Sequence, residues 1–306
     1  MSEELKGMRK TILLRLSVLI SVCFLLINYA NLSFSMYGGL SGQQLKINLF
    51  KINSQNYREV STFIHQGFRE YDTAKKGFAG NVGFPSLYGN RNPVQLEGAN
   101  WWGGISIGYM RVYLQIQKKA QACVLSYIFD YKRKYKCSFV RLGTFCEAQK
   151  NFFESIGFEV EFARKGYDQD KTYYYLRCDN DRYKDPRQPF VGVLKSEAGD
   201  PKAYKIGYIL KEGPLLVGAI EARVCLGCLH ILNICIKKEY RKRGFGKKLI
   251  EKVLEDGKRY RCRFAILETF DYMAPGFYKK LGFKVDFMRK GYWANVEQYC
   301  MSKKIS

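Results

Sequence analysis

With 306 residues, 47% of them hydrophobic and 15% aromatic, the chain is long enough for two domains that each bury a core, which excludes a disordered or fibrous protein. Fifty-one lysines and arginines against 28 acidic residues leave a formal charge of +23, which favours anionic partners: a phosphorylated cofactor, acidic substrates, an anionic membrane face or nucleic acid. Ten cysteines lacking the spacing of a disulfide scaffold read as reduced and structural, and Cys225-Leu226-Gly227-Cys228 is a lone CxxC that two histidines do not complete into a metal site.

In chain order, residues 11–30 (TILLRLSVLISVCFLLINYA) form an apolar run of about the length that crosses a bilayer. Arg15 lies near its start, where it reaches the interface, and Lys6, Arg9 and Lys10 before it keep the N-terminus cytoplasmic. Residues 1–35 are expected to be an anchor, making the protein membrane-associated through residues 11–30; the alternatives are a signal peptide cleaved near Ser33-Phe34-Ser35 and a cytoplasmic protein. A first domain is expected over residues 45–180. It opens with a strand over Lys46–Ile52 and a helix capped by Asn53 or Ser54, whose apolar face carries Tyr57, Val60, Phe63, Ile64, Phe68 and Tyr71, with His65 structural. Gly77–Gly104, rich in Gly, Asn and Pro, is expected to be a long functional loop, in which Trp101-Trp102 either lines a binding surface or supplies two buried anchors. Strand (Ile105–Ile116), helix (Ala120–Tyr131) and strand (Cys137–Gly143) follow.

Leu142–Tyr167 (LGTFCEAQKNFFESIGFEVEFARKGY) aligns without a gap on Leu267–Tyr292 (LETFDYMAPGFYKKLGFKVDFMRKGY), with twelve identities. Tyr135/Tyr260, Cys137/Cys262 and Phe139/Phe264 extend the register upstream. The two halves therefore read as copies of one mixed α/β unit, joined by a linker over 181–201. In this register Gly244 and Gly246 stand opposite Lys119 and Gln121, and Tyr278 stands opposite Phe153.

The second domain, 202–306, opens with a hairpin over Tyr204–Val224 that turns at Lys211-Glu212-Gly213-Pro214. In Ile231–Leu249 an alternating strand runs into the basic turn Arg241-Lys242-Arg243-Gly244-Phe245-Gly246 and then a helix starting at Lys247. Glycines that let backbone N–H groups approach a phosphate, next to a helix N-terminus, make an anion site. Neither a GxGxxG dinucleotide motif nor a Walker GK[ST] is present there.

The strand HILNICIKKEY, the turn RKRGFG fitting [RQ]xxGx[GA], a strand ending Leu267-Glu268-Thr269 and the fragment Gly276-Phe277-Tyr278-Lys279-Lys280-Leu281-Gly282-Phe283 together resemble the GNAT superfamily of N-acetyltransferases. The resemblance implies a mixed α+β sheet and, with the repeat, a tandem of two GNAT-like domains after the N-terminal hydrophobic helix, the first degenerate and the second intact. It implies acetyl-CoA as co-substrate, no metal, and direct transfer to an amine on a small molecule or a protein. In that frame Arg241, Lys242, Arg243, Gly244, Phe245, Gly246 and Lys247 bind the pyrophosphate, Ile234, Cys235 and Ile236 pair with the pantetheine amides, and Thr269 belongs to the cofactor site. Tyr278 corresponds to the general acid that protonates the leaving thiolate. Glu221 and Glu268 are the candidate bases, with His230 behind them; nothing near Cys235 in sequence marks it as a nucleophile.

The pattern departs from the family at one place. Between the linker and the hairpin there is little room for the two helices that normally shape the acceptor site, so the first domain, through its Gly77–Gly104 loop, is expected to close that side. A non-catalytic CoA-binding module is the competing reading. Nucleic acid is disfavoured as a partner, since no DNA- or RNA-reading motif accompanies the charge.

Overall fold

The computed structural model describes residues 47–76, 94–112, 118–179, 192–195 and 203–305. The expected anchor at 11–30 lies outside them, as do all of 77–93 and most of the linker; among the described residues no helix is long and apolar enough to cross a membrane. The elements are β1 (Ile47–Lys51), α1 (Tyr57–Lys76), β2 (Val94–Trp101), β3 (Gly104–Val112), α2 (Lys118–Lys134), β4 (Phe139–Thr144), α3 (Glu147–Ser155), β5 (Glu159–Arg164), β6 (Tyr173–Asp179) and β7 (Gly192–Lys195). After these come β8 (Tyr204–Glu212), β9 (Leu215–Cys225), β10 (Cys228–Ile236), α4 (Phe245–Arg259), β11 (Phe264–Phe270), α5 (Pro275–Lys280), β12 (Lys284–Arg289) and β13 (Gln298–Lys304).

One mixed sheet has the order β1-β8-β9-β10-β11-β13-β12. Its alternation sends Ile220, Leu229, Ile231, Ala265 and Leu267 to one face, where α4 covers them with Leu249, Ile250 and Val253, and α5 with Tyr278. The opposite face of β8–β10 is covered by α1, whose Val60 and Ile64 pack on Ile209, Ala219 and Cys235. A Cβ on Gly67 would stand 2.2 Å from Cys235 Sγ, so the approach of helix to strand requires glycine there. Before α1, Asn53 Oδ1 accepts from the N–H groups of Gln55 and Asn56, so Asn53 rather than Ser54 turns the chain.

This pairing divides the chain differently from the expected 45–180 and 202–306 split. β1 runs antiparallel to β8 from Ile47↔Glu212 to Lys51↔Tyr208, so β1 and α1 complete the sheet of the C-terminal half. The helix missing between linker and hairpin is supplied from upstream. The physical reason is an exposed β8 edge and an uncovered apolar face, both satisfied by this one strand and helix.

The second sheet has the order β2-β3-β4-β6-β5, with α2 and α3 packed on one face through Leu125, Ile128, Phe129 and Phe153. Its other face lies on the first sheet, where Trp102 and Phe139 meet Phe270 and Tyr292, and Tyr167 and Tyr173 meet Cys228 and Ile266. The Gly77–Gly104 expectation is corrected at its end: Val94–Trp101 is a strand. Trp102 is a buried anchor in the β2–β3 turn, with its indole N–H donating to the Tyr272 hydroxyl at 2.9 Å. The order β2-β3-β4-β6-β5 parallels β9-β10-β11-β13-β12, and left-handed residues recur at Gly157/Gly282, Gly166/Gly291 and Gln169/Ala294. Within the expected linker, β7 pairs antiparallel with Tyr109–Val112, the last four residues of β3.

Candidate active site

The cleft follows from a broken pairing. β10 runs parallel to β11 from Cys228↔Phe264 to Ile231↔Leu267 and no further, while a bulge between Ile231 and Asn233 disturbs its register with β9. A bulge bends its strand and increases the local twist. Beyond it Asn233–Ile236 keep β9 on one side, and their other edge faces a cleft of about 800 Å3.

At the end of β10 the Arg241 Nε donates to the Ile236 carbonyl at 2.9 Å, tying the basic turn to the strand. Lys242 and Gly244 are left-handed, at φ 61° and 82°, and Gly244 caps α4, its carbonyl accepting from Lys248 N. No atom stands within 4 Å of where a Gly244 Cβ would be, so glycine is needed for backbone conformation and open approach rather than for a packed neighbour. The first N–H groups of α4 have no partner within the helix and mark its positive end. Ile234, Cys235, Ile236, Arg241, Lys242, Gly244, Phe245, Gly246 and Lys247 all line the cleft, and so does buried Thr269. Arg243 does not; its guanidinium lies over the rings of Tyr240 and Phe245, at 5.1 and 5.3 Å. Gly67 and Phe68 of α1 line it too, which their distance in sequence from the turn concealed.

Tyr278 lines the cleft from α5 and packs against Phe277 and Phe283. Glu268 also lines it, but its carboxylate is saturated. Arg141 of β4 donates to both oxygens at 3.2 Å, Gln298 Nε2 donates at 2.9 Å, and the Cys300 thiol lies 3.7 Å away. Burial pushes its pKa up, yet Arg141 and Arg289 outweigh that and hold it down at about 2. Glu221 on β9 does not line the cleft; its carboxylate accepts from Asn233 Nδ2 at 2.9 Å, and Asn233 does line it. His230 lies instead on a smaller cavity between the two sheets.

Burial lowers the His230 pKa from 6.5 to about 4; Glu268 opposes the shift, and Arg223 and Arg164 add to it. A histidine whose folded pKa is depressed contributes its full stability above the unfolded value and loses it as pH falls from about 6.5 to about 4. The loss across that window is expected to reach about 3 kcal/mol. Urea denaturation of His230→Gln should show a flatter pH dependence there; an unchanged slope would remove the histidine as its source.

Residues 161–283 match the family model described as Acetyltransferase (GNAT) family. Over this segment, which is less than half of the chain, the protein is similar to the GNAT acetyltransferases. No curated protein matches the chain. Among solved structures it is similar to an acetyltransferase from Bacillus cereus ATCC 14579, at 21% identity over 36% of this chain and 79% of that one, TM-score 0.33. It is also similar to the ribosomal-protein-S18-alanine N-acetyltransferase from Escherichia coli (20% identity, 33% and 70% covered, TM-score 0.32) and to a Bacillus subtilis acetyltransferase in complex with CoA (18% identity, 33% and 78% covered, TM-score 0.30).

Proposed function

We propose that the protein is an acetyl-CoA-dependent N-acetyltransferase that transfers the acetyl group directly to an amine. The observation that carries this reading is the open edge of β10 at Asn233–Ile236, which leads straight into the left-handed turn at Gly244. The residues fit the co-substrate: the glycine turn and the α4 N-terminus suit a pyrophosphate, with Arg241, Lys242 and Lys247 adding charge, and an unpaired strand edge suits an amide-bearing arm. Acetyl-CoA supplies an activated thioester. The backbone N–H groups of Ile234–Ile236 orient and polarise its carbonyl, and the Tyr278 hydroxyl holds the proton that the departing sulfur takes. Of the two candidate carboxylates, Glu268 is paired with Arg141 and saturated with donors, so it positions β4 against β11; Glu221, which stands behind Asn233 and outside the cleft lining, is left as the base and would take the proton shed by the attacking nitrogen through water.

The same reading makes the first half a degenerate copy. Its α2 starts at Lys118, so Lys119, opposite Gly244, is helical rather than part of a left-handed turn. β7 runs along Tyr109–Val112, the last four residues of β3, which correspond to Asn233–Ile236 at the end of β10. The chain's own strand thus takes the edge along which a pantetheine arm would lie.

Calorimetry with CoA is expected to give one site per chain, and Gly244→Lys should weaken it at least thirtyfold. A left-handed L-residue costs about 1–2 kcal/mol, and each lost charge-assisted backbone bond about 1.5–3. Thiol release from acetyl-CoA against a panel of amines tests the transfer. Two CoA sites per chain would end the degenerate-copy reading; tight CoA binding with no turnover on any amine would make the protein a non-catalytic CoA-binding module.

A further inference from the structure

A second cavity, of about 150 Å3, lies between the two sheets. Leu267 and Glu268 line both it and the large cleft, so it adjoins the point where β10 and β11 part. A cavity of about this volume holds one benzene-sized group. Its walls carry three arginines, Arg141, Arg164 and Arg289, against the single carboxylate of Glu268. Arg141 is committed to Glu268, and Arg289 to Glu161 and Gln298.

Arg164 has donor capacity left. It is 8% exposed and donates from Nη2 to Asp286 at 3.0 Å, while its Nε finds no hydrogen-bond partner among the described residues. Arg223, the register partner of His230, has Nη1 buried and likewise without such a partner. A buried donor left unmet costs about 1–3 kcal/mol, and an anionic oxygen offsets that cost through charge as well as hydrogen bonding.

We propose that this cavity receives the anionic end of the acceptor, making the substrate a small amine that carries a carboxylate or phosphate within a few bonds of its nitrogen. The inference rests on the acetyltransferase reading, with the amine at the junction marked by Glu268 and the anion at Arg164.

The test compares glycine, β-alanine and phosphoethanolamine with ethanolamine and putrescine, using the full chain at saturating acetyl-CoA. At least one anionic amine is expected to exceed ethanolamine tenfold or more in kcat/KM, and the glycine and phosphoethanolamine arms separate carboxylate from phosphate. Arg164→Gln should raise KM for that amine at least tenfold with kcat changed less than twofold, and Arg164→Lys should recover part of it. Ser106→Leu, which narrows the cavity without removing a charge, should raise the same KM and covers a failure of Arg164→Gln to fold. Ethanolamine or putrescine turned over as well as the anionic amines would overturn the proposal and leave N-acetyl transfer standing. If no amine is turned over, calorimetry of glycine and phosphoethanolamine with the CoA-loaded protein decides. Binding weakened tenfold by Arg164→Gln upholds the cavity and sinks the acetyltransferase reading, whereas binding that is absent or indifferent to the variant overturns both.

Discussion

Replacing Tyr278 by phenylalanine is expected to lower kcat by about 10²–10³-fold while leaving the affinity for CoA within about twofold of wild type. The ring is held between Phe277 and Phe283, so the substitution removes a hydroxyl without disturbing the packing. Loss of a positioned proton donor acts on the step in which sulfur leaves, and the deficit should shrink with acyl donors whose leaving thiol is more acidic. A Tyr278→Phe enzyme with wild-type kcat would remove the tyrosine from catalysis and leave it a wall of the cleft. The position is informative because Phe153, its counterpart in the first half, is fully buried and carries no hydroxyl.

The second large effect is on stability. Arg141→Leu should destabilise the fold by about 3 kcal/mol, since removing one member of a buried pair leaves the other charge uncompensated. Glu268 would keep Gln298 and Cys300 but lose both guanidinium bonds. The double variant Arg141→Leu/Glu268→Leu should recover a large part of the loss, because no charge is then stranded. Urea denaturation of wild type, both single variants and the double variant closes the cycle; a double variant as unstable as the sum of the singles would show that the pair has no coupling. The depressed Glu268 pKa adds a sign: stability from this carboxylate is present above about 4.5 and lost as pH falls towards about 2.

The strand, turn and helix that line one side of the cleft were legible in the sequence because these parts are near neighbours. Strand, turn and helix over Ile231–Leu249 are contiguous, and Gly244 is found left-handed at the head of α4 as its type and position suggested. The repeat supplied an internal comparison within the same chain. Arg243 was misplaced because composition cannot distinguish a guanidinium that faces a cleft from one that covers two aromatic rings. The strand at Val94–Trp101 was hidden by a segment whose glycine, asparagine and proline content resembles that of a loop.

By itself, then, the sequence was enough to delimit the glycine turn between β10 and α4, to put Tyr278 on the short helix after β11, and to align two of its own stretches without a gap, all of which depend on local spacing. Only the tertiary structure decided that β1 and α1 complete the C-terminal sheet, that β7 lies along the edge of β3, and that the Glu268 carboxylate is held by Arg141 and Gln298. The Arg141–Glu268 pair joins residues 127 positions apart. Contacts at that distance arise from which edges and faces remain to be covered after local structure has formed, and no periodic pattern along the chain records them.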